Sequence, residues 1–179
     1  MKAAIPIFKR LRVVFFLSFV VLVSCNTNSR EKLLKNIRHA EAEMNVAKAF
    51  DRQKGSEIIE TYVVFAETFP DDTLSASFLF KAGEISMNLQ FSEQAIAYFS
   101  KVRADYPFFY KAPECLFLKA FVFENQLNNI KEAEIYYKEF IASYPNHPLT
   151  DDAVASLEYL GKSPEELVRM FQEKNAELQ

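Results

Sequence analysis

Two histidines, two cysteines and three glycines limit the chemistry open to this chain of 179 residues. His39 stands four residues before Glu43, a spacing that puts both on one helix face, where they could share a metal ion. No further ligand accompanies them, so a solvated helix face is the expectation. His147, between Asn146 and Pro148, reads as part of a turn. Gly55, Gly83 and Gly161 are isolated, and no phosphate-cradling loop can be drawn from them. The carboxylates are scattered and do not converge as a general acid and base must. Cys115 could be a reactive thiol, but Ser77 and Ala153, 38 residues to either side, are both small, so a small packing residue is expected. No catalytic residue, metal, cofactor or small-molecule substrate is assigned, and the chain is read as a binding protein, not an enzyme.

The elements that would position a binding surface begin after residue 24. The first 24 residues hold Lys2, Lys9, Arg10 and Arg12 and no acid. The remainder has 17 basic against 24 acidic groups, a balance of −7, which disfavours nucleic acid as a partner. From Val13 to Val23 run eleven uncharged, mostly apolar residues. As a helix they would span roughly 16 Å, short of the about 30 Å of a bilayer core, so the segment reads as a signal peptide, not a membrane span.

Leu22-Val23-Ser24-Cys25 resembles the lipobox of bacterial lipoproteins: apolar residues, a small residue, then the cysteine whose thiol takes up lipid and becomes the new N-terminus. The resemblance implies removal of residues 1–24, a lipidated Cys25, and a short linker over 25–30. Asn26 in place of aspartate, with no acidic cluster after Cys25, implies by analogy the outer membrane and its periplasmic face. From Asn26 to Arg30 the chain reaches at most about 18 Å at roughly 3.6 Å per residue. With Cys25 committed to lipid, Cys115 has no disulfide partner.

One pattern recurs three times over 31–179: a residue, an aromatic four later, and an aromatic joined to proline a further seven on. The copies are Ile58, Tyr62 and Phe69-Pro70; Ala95, Phe99 and Tyr106-Pro107; Ala133, Tyr137 and Tyr144-Pro145. A period of 37 to 38 residues, almost free of glycine, indicates stacked helix–turn–helix units. Leu79, Ala82, Gly83 and Ser86 share one helix face, and Phe117, Ala120, Phe121 and Glu124 repeat it. Each aromatic-Pro pair marks a helix exit, because proline lacks the N–H and clashes with the previous turn. The expected fold is all-α: about three helix pairs and a C-terminal capping pair.

Leu79, Gly83, Ala95, Phe99 and Pro107 resemble the signature of the tetratricopeptide repeat. In the third copy Phe121 replaces the small residue and Glu124 an aromatic, which predicts looser or tilted packing. The first copy matches only in its second helix, and its charged first helix suits an end cap facing water. Thr150 is expected to cap a helix to about Leu160, Gly161 to close it, and Ser163-Pro164-Glu165-Glu166 to form a capping box. A last helix bearing Leu167, Met170, Phe171 and Leu178 would cover the final repeat.

The resemblance also implies a binding groove: Phe80, Glu84, Met87 and Asn88 from the second unit, with Leu118, Val122, Asn125 and Gln126 from the third. Apolar members would bury a partner's helix or extended segment, and the amides would pair with its backbone. Alternatively, Phe80, Leu118 and Val122 are covered by the C-terminal helix or by residues 30–50. Phe108, Phe109 and Tyr110 form a second candidate surface, because three consecutive aromatics cannot all point inward unless neighbouring units enclose them; enclosure between units is the expectation. The repeats are similar to those of envelope tetratricopeptide lipoproteins, including the D subunit of the outer-membrane β-barrel assembly machinery and the periplasmic coordinator linked to Tol–Pal. That similarity implies a scaffold or adaptor for an envelope protein or peptide segment. The alternatives are coordination of cell-wall synthesis or envelope constriction, or an accessory role to an enzyme or surface transport system.

Overall fold

The computed structural model describes residues 28–44 and 51–177. The segment 1–24 read as a signal peptide, Cys25 and Leu178 lie outside them. The described residues form eight helices: α1 (28–44), α2 (Arg52–Thr68), α3 (Ser75–Asn88), α4 (Ser92–Asp105), α5 (Ala112–Asn125), α6 (Ile130–Ser143), α7 (Thr150–Tyr159) and α8 (Pro164–Glu177). Each packs on the next in sequence from α2 to α7, giving a helical-repeat solenoid. Because neighbours run antiparallel, the turns α2–α3, α4–α5 and α6–α7 share one edge with the start of α1.

Local sequence sets the boundaries. Asp51 caps α2, its Oδ1 accepting from Gln53 N at 2.9 Å, and Asn129 caps α6 through Glu132 N at 3.3 Å, satisfying amides that have no partner inside a helix. Gly161 adopts a φ of +71° after α7. The capping box closes α8, with Ser163 N donating to Glu166 Oε2 at 2.8 Å and Glu166 N to Ser163 Oγ at 3.2 Å. Thr150 does not cap α7 from its N-cap position, which Leu149 holds. Its hydroxyl turns back and donates to Tyr144 O at 2.7 Å.

Three core layers follow the stacking. The first joins Ile37 of α1 to Ile58, Tyr62 and Phe65 of α2 and Phe78 of α3. The second gathers Leu79, Phe80, Phe99, Val102, Cys115 and Val122, and the third Leu116, Ala120, Tyr137, Phe140 and Ala153. The charged helix α1 therefore packs on the repeats through a narrow stripe of Leu33, Leu34, Ile37, Ala40 and Met44. At the other end α8 touches α7 through Phe171 and Tyr159, ring centroids 5.5 Å apart, but Val168 and Phe171 stay exposed, so it covers the final repeat only in part.

The second and third pairs solve one packing problem differently. A Cβ on Gly83 would lie 2.5 Å from Phe99 Cε1, so α3 and α4 approach only because position 83 has no side chain. The matching Phe121 turns outward, 38% exposed. The α5–α6 contact closes instead on Ala120 and on Phe117, whose ring lies 5.7 Å from both Tyr137 and Phe140. Glu124, in an aromatic's place, accepts the Tyr137 hydroxyl at 2.7 Å; Glu41 does the same for Tyr62 at 2.7 Å. Burial first, and the carboxylate next, push both phenols above their ordinary range.

Candidate functional site

The groove predicted on α3 and α5 is only partly open. Phe80 is 3% and Val122 0% exposed, which corrects their place among partner-contacting residues. Among the described residues, neither the C-terminal helix nor residues 30–44 covers Phe80. The α4–α5 turn does, with Phe109 at 6.2 Å between centroids and Lys111 Nζ 4.6 Å above the ring. Val122 packs into the same core layer, with Leu118 and Met87 half-buried beside it.

Gln126 is also engaged. Its Nε2 donates to Met87 O at 2.8 Å while its Oε1 accepts from Ser92 Oγ at 2.8 Å, so its amide ties the end of α5 to the second pair. Asn125 is exposed and donates to Phe121 O of its own helix at 3.1 Å. Asn88 is exposed as well. Glu84 is half-buried, and desolvation raises its carboxyl above the ordinary value against the opposing pull of Lys111. This face thus offers Glu84, Met87, Asn88, Leu118 and Asn125: a shallow surface of mixed polarity.

The second candidate surface divides. Phe109 points inward onto Phe80, while Phe108 is 100% and Tyr110 75% exposed, which corrects the expectation that all three pack between units. Tyr106 of this turn donates its hydroxyl to Pro70 O at 2.9 Å, locking two neighbouring turns together. Between them lies a groove of about 420 Å³ whose walls include Asp71, Asp72, Ala76, Asp105, Phe108 and Phe109. At its rim Arg30 Nε donates to Asp72 Oδ2 at 2.5 Å, and this bond holds the carboxyl below the usual range. A further groove of about 450 Å³, lined by Val63, Val64, Glu67, Phe91, Gln94 and Tyr98, runs between α2 and α4 on the outer face. Neither groove has a local sequence signal, because each is assembled from two segments at least 24 positions apart.

The remaining chemical candidates take structural places. Burial pushes the Cys115 thiol up to about 12, far from thiolate at neutral pH. His39 Nε2 lies 3.4 Å from Glu43 Oε1 on an exposed face. His147 accepts from Leu149 N through Nδ1 at 3.2 Å and rests on Phe140 at 5.3 Å between ring centroids. Among the described residues no group of three or more His, Cys, Asp or Glu could hold a metal ion.

A family model for the tetratricopeptide repeat matches residues 114–147, from within α5 to the turn after α6. No curated protein matches the chain.

Proposed function

We propose that this chain is a non-catalytic, lipid-anchored scaffold of a bacterial cell envelope, held at the periplasmic face of the outer membrane through Cys25. On this reading it presents the α3–α5 face to a protein partner in outer-membrane protein assembly. The observation that carries the scaffold reading is the stacking of α2 to α7 into helix pairs, one of which matches a protein-interaction repeat. The anchor reading is supported by the lipobox-like Leu22-Val23-Ser24-Cys25 and the short apolar run before it.

Replacing Cys25 with serine should leave a folded domain in the soluble fraction, with circular dichroism unchanged. Retention of that variant in membranes after a high-salt wash contradicts the anchor. For the partner, introducing charge at the exposed positions, Asn88→Lys with Asn125→Glu, should preserve melting and abolish co-purification of β-barrel assembly components. Recovery of cell-wall or Tol–Pal components instead moves the scaffold to envelope coordination.

A further inference from the structure

Three turns of this molecule share one backbone. Asp72 N donates to Phe69 O at 3.0 Å, Phe109 N to Tyr106 O at 3.0 Å and His147 N to Tyr144 O at 3.1 Å. Three residues later Ser75 N, Ala112 N and Thr150 N close the next turn at 3.0, 2.8 and 2.9 Å. In the outer two, side chains reinforce this frame. Asp72 Oδ1 and His147 Nδ1 accept from Leu74 N and Leu149 N at 2.9 and 3.2 Å. Ser75 and Thr150 hydroxyls donate to the aromatic carbonyls at 2.6 and 2.7 Å. The middle turn has Phe109 and Ala112 at those positions and can form neither bond. It carries a wedge instead: Phe109 braced on Phe80, with Tyr110 4.8 Å from Phe109 between centroids, holding Phe108 and Tyr110 out in solvent.

The wedge also has a particular place. It shares an edge with the start of α1, and Arg30 binds Asp72, which lines the same groove as Phe108. Cys25 lies five residues before Arg30, a link of at most about 18 Å. A lipid on Cys25 therefore brings this edge, and not the opposite one, against the bilayer.

From this we infer that Phe108 and Tyr110 enter the interfacial zone of the membrane bearing the anchor, giving the scaffold a second, aromatic foothold and a fixed orientation. The inference rests on the anchor reading above. The Tyr110 ring, with its polar hydroxyl, suits the headgroup level, and the wholly apolar Phe108 suits the burial of about 5–10 Å that apolar faces of interfacial helices reach. Two of the acids in the groove wall are ion-paired, Asp72 with Arg30 and Asp105 with Lys101 at 2.6 Å, while Asp71 is exposed. Attraction to anionic headgroups is thus not the driving term. No described helix is long and apolar enough to cross a membrane, so the contact is peripheral. A protein seated on Phe108 would have to fit into the gap that the short tether leaves, which favours lipid as the occupant.

The chain contains no tryptophan, so Phe108→Trp introduces one tryptophan, excited selectively over the tyrosines, at a fully exposed site. Leu127→Trp, 36% exposed in the α5–α6 turn, is its counterpart about 21 Å away along α5 at about 1.5 Å per residue. The lipidated full-length variants are reconstituted in phosphatidylethanolamine–phosphatidylglycerol vesicles doped with phosphatidylcholine brominated near the headgroup. Loss and blue shift of F108W emission, with L127W unaffected, is expected. Equal, unquenched emission from both while the protein floats with the vesicles overturns the foothold and leaves the anchor standing. Failure to float overturns the anchor and the foothold with it. Shielding of F108W from aqueous iodide only after addition of envelope proteins makes the edge a protein-binding site and equally overturns the foothold.

Discussion

The turn at Tyr106–Lys111 and the turn at Tyr144–Leu149 follow the same path and are built from different materials. In the second, His147 and Thr150 spend their side chains on the backbone around them. In the first, Phe109 turns into the core and Phe108 stands in water. Because the aromatic-Pro exit and the next helix start already fix the path, side chains there are free to differ. The comparison separates what this repeat needs in order to fold from what one copy has added.

Breaking the comparison at its strongest point means removing the brace. Phe109→Ala should cost about 2–3 kcal/mol, below the full range for a completely buried ring because Phe109 is half-buried, and urea midpoints would show it. Phe108→Ala, one residue away, should stay within about 0.5 kcal/mol. Equal costs would mean that both rings are structural. Next in size, Ser75→Ala and Thr150→Ala should each cost about 1 kcal/mol, since each leaves a carbonyl without its hydroxyl partner.

The comparison sharpens if the missing bond can be restored. Ala112→Ser places a hydroxyl where Ser75 and Thr150 have theirs, and should raise the thermal midpoint by the equivalent of up to about 1 kcal/mol. A loss would show that the middle turn departs from its neighbours in backbone as well. The smallest effect is acid dependence. Asp72 titrates below the ordinary carboxylate range because of its bond to Arg30. Its contribution is therefore present above the unfolded carboxyl value, near about pH 4, and is lost as pH falls through the lower folded value. Melting of Asp72→Asn should lag the native chain at neutral pH and converge with it as acid protonates Asp72 in the folded chain. A constant gap would remove the Arg30 pair from the account.

Much of this architecture was legible because helix signals are local. The exits at Pro70, Pro107 and Pro145, the left-handed Gly161 and the Ser163–Glu166 box each act within a few residues, and all are present. The groove was less legible. Position within a repeat marks Phe80 as outward, but Phe109, 29 residues on, lies over it. Gln126 looked like a free amide until Met87 and Ser92 of the preceding pair filled both its ends. Phe121 predicts looser or tilted packing, and nothing near it in the sequence shows that its ring turns outward while the contact closes on Ala120 and Phe117. The bond between Arg30 and Asp72 spans 42 residues and has no signal in either neighbourhood. What the sequence withheld lies between repeats, where each copy departs from the shared pattern.

The central claim is a division of labour: the α3–α5 face meets protein and the turn edge meets lipid. The direct test places a photo-crosslinker at Asn88 and, separately, at Phe108 in the lipidated chain in living cells, with mass spectrometry of the adducts. The account predicts an assembly-machinery polypeptide on Asn88 and phospholipid on Phe108. Polypeptide on Phe108 with no adduct on Asn88 would contradict it.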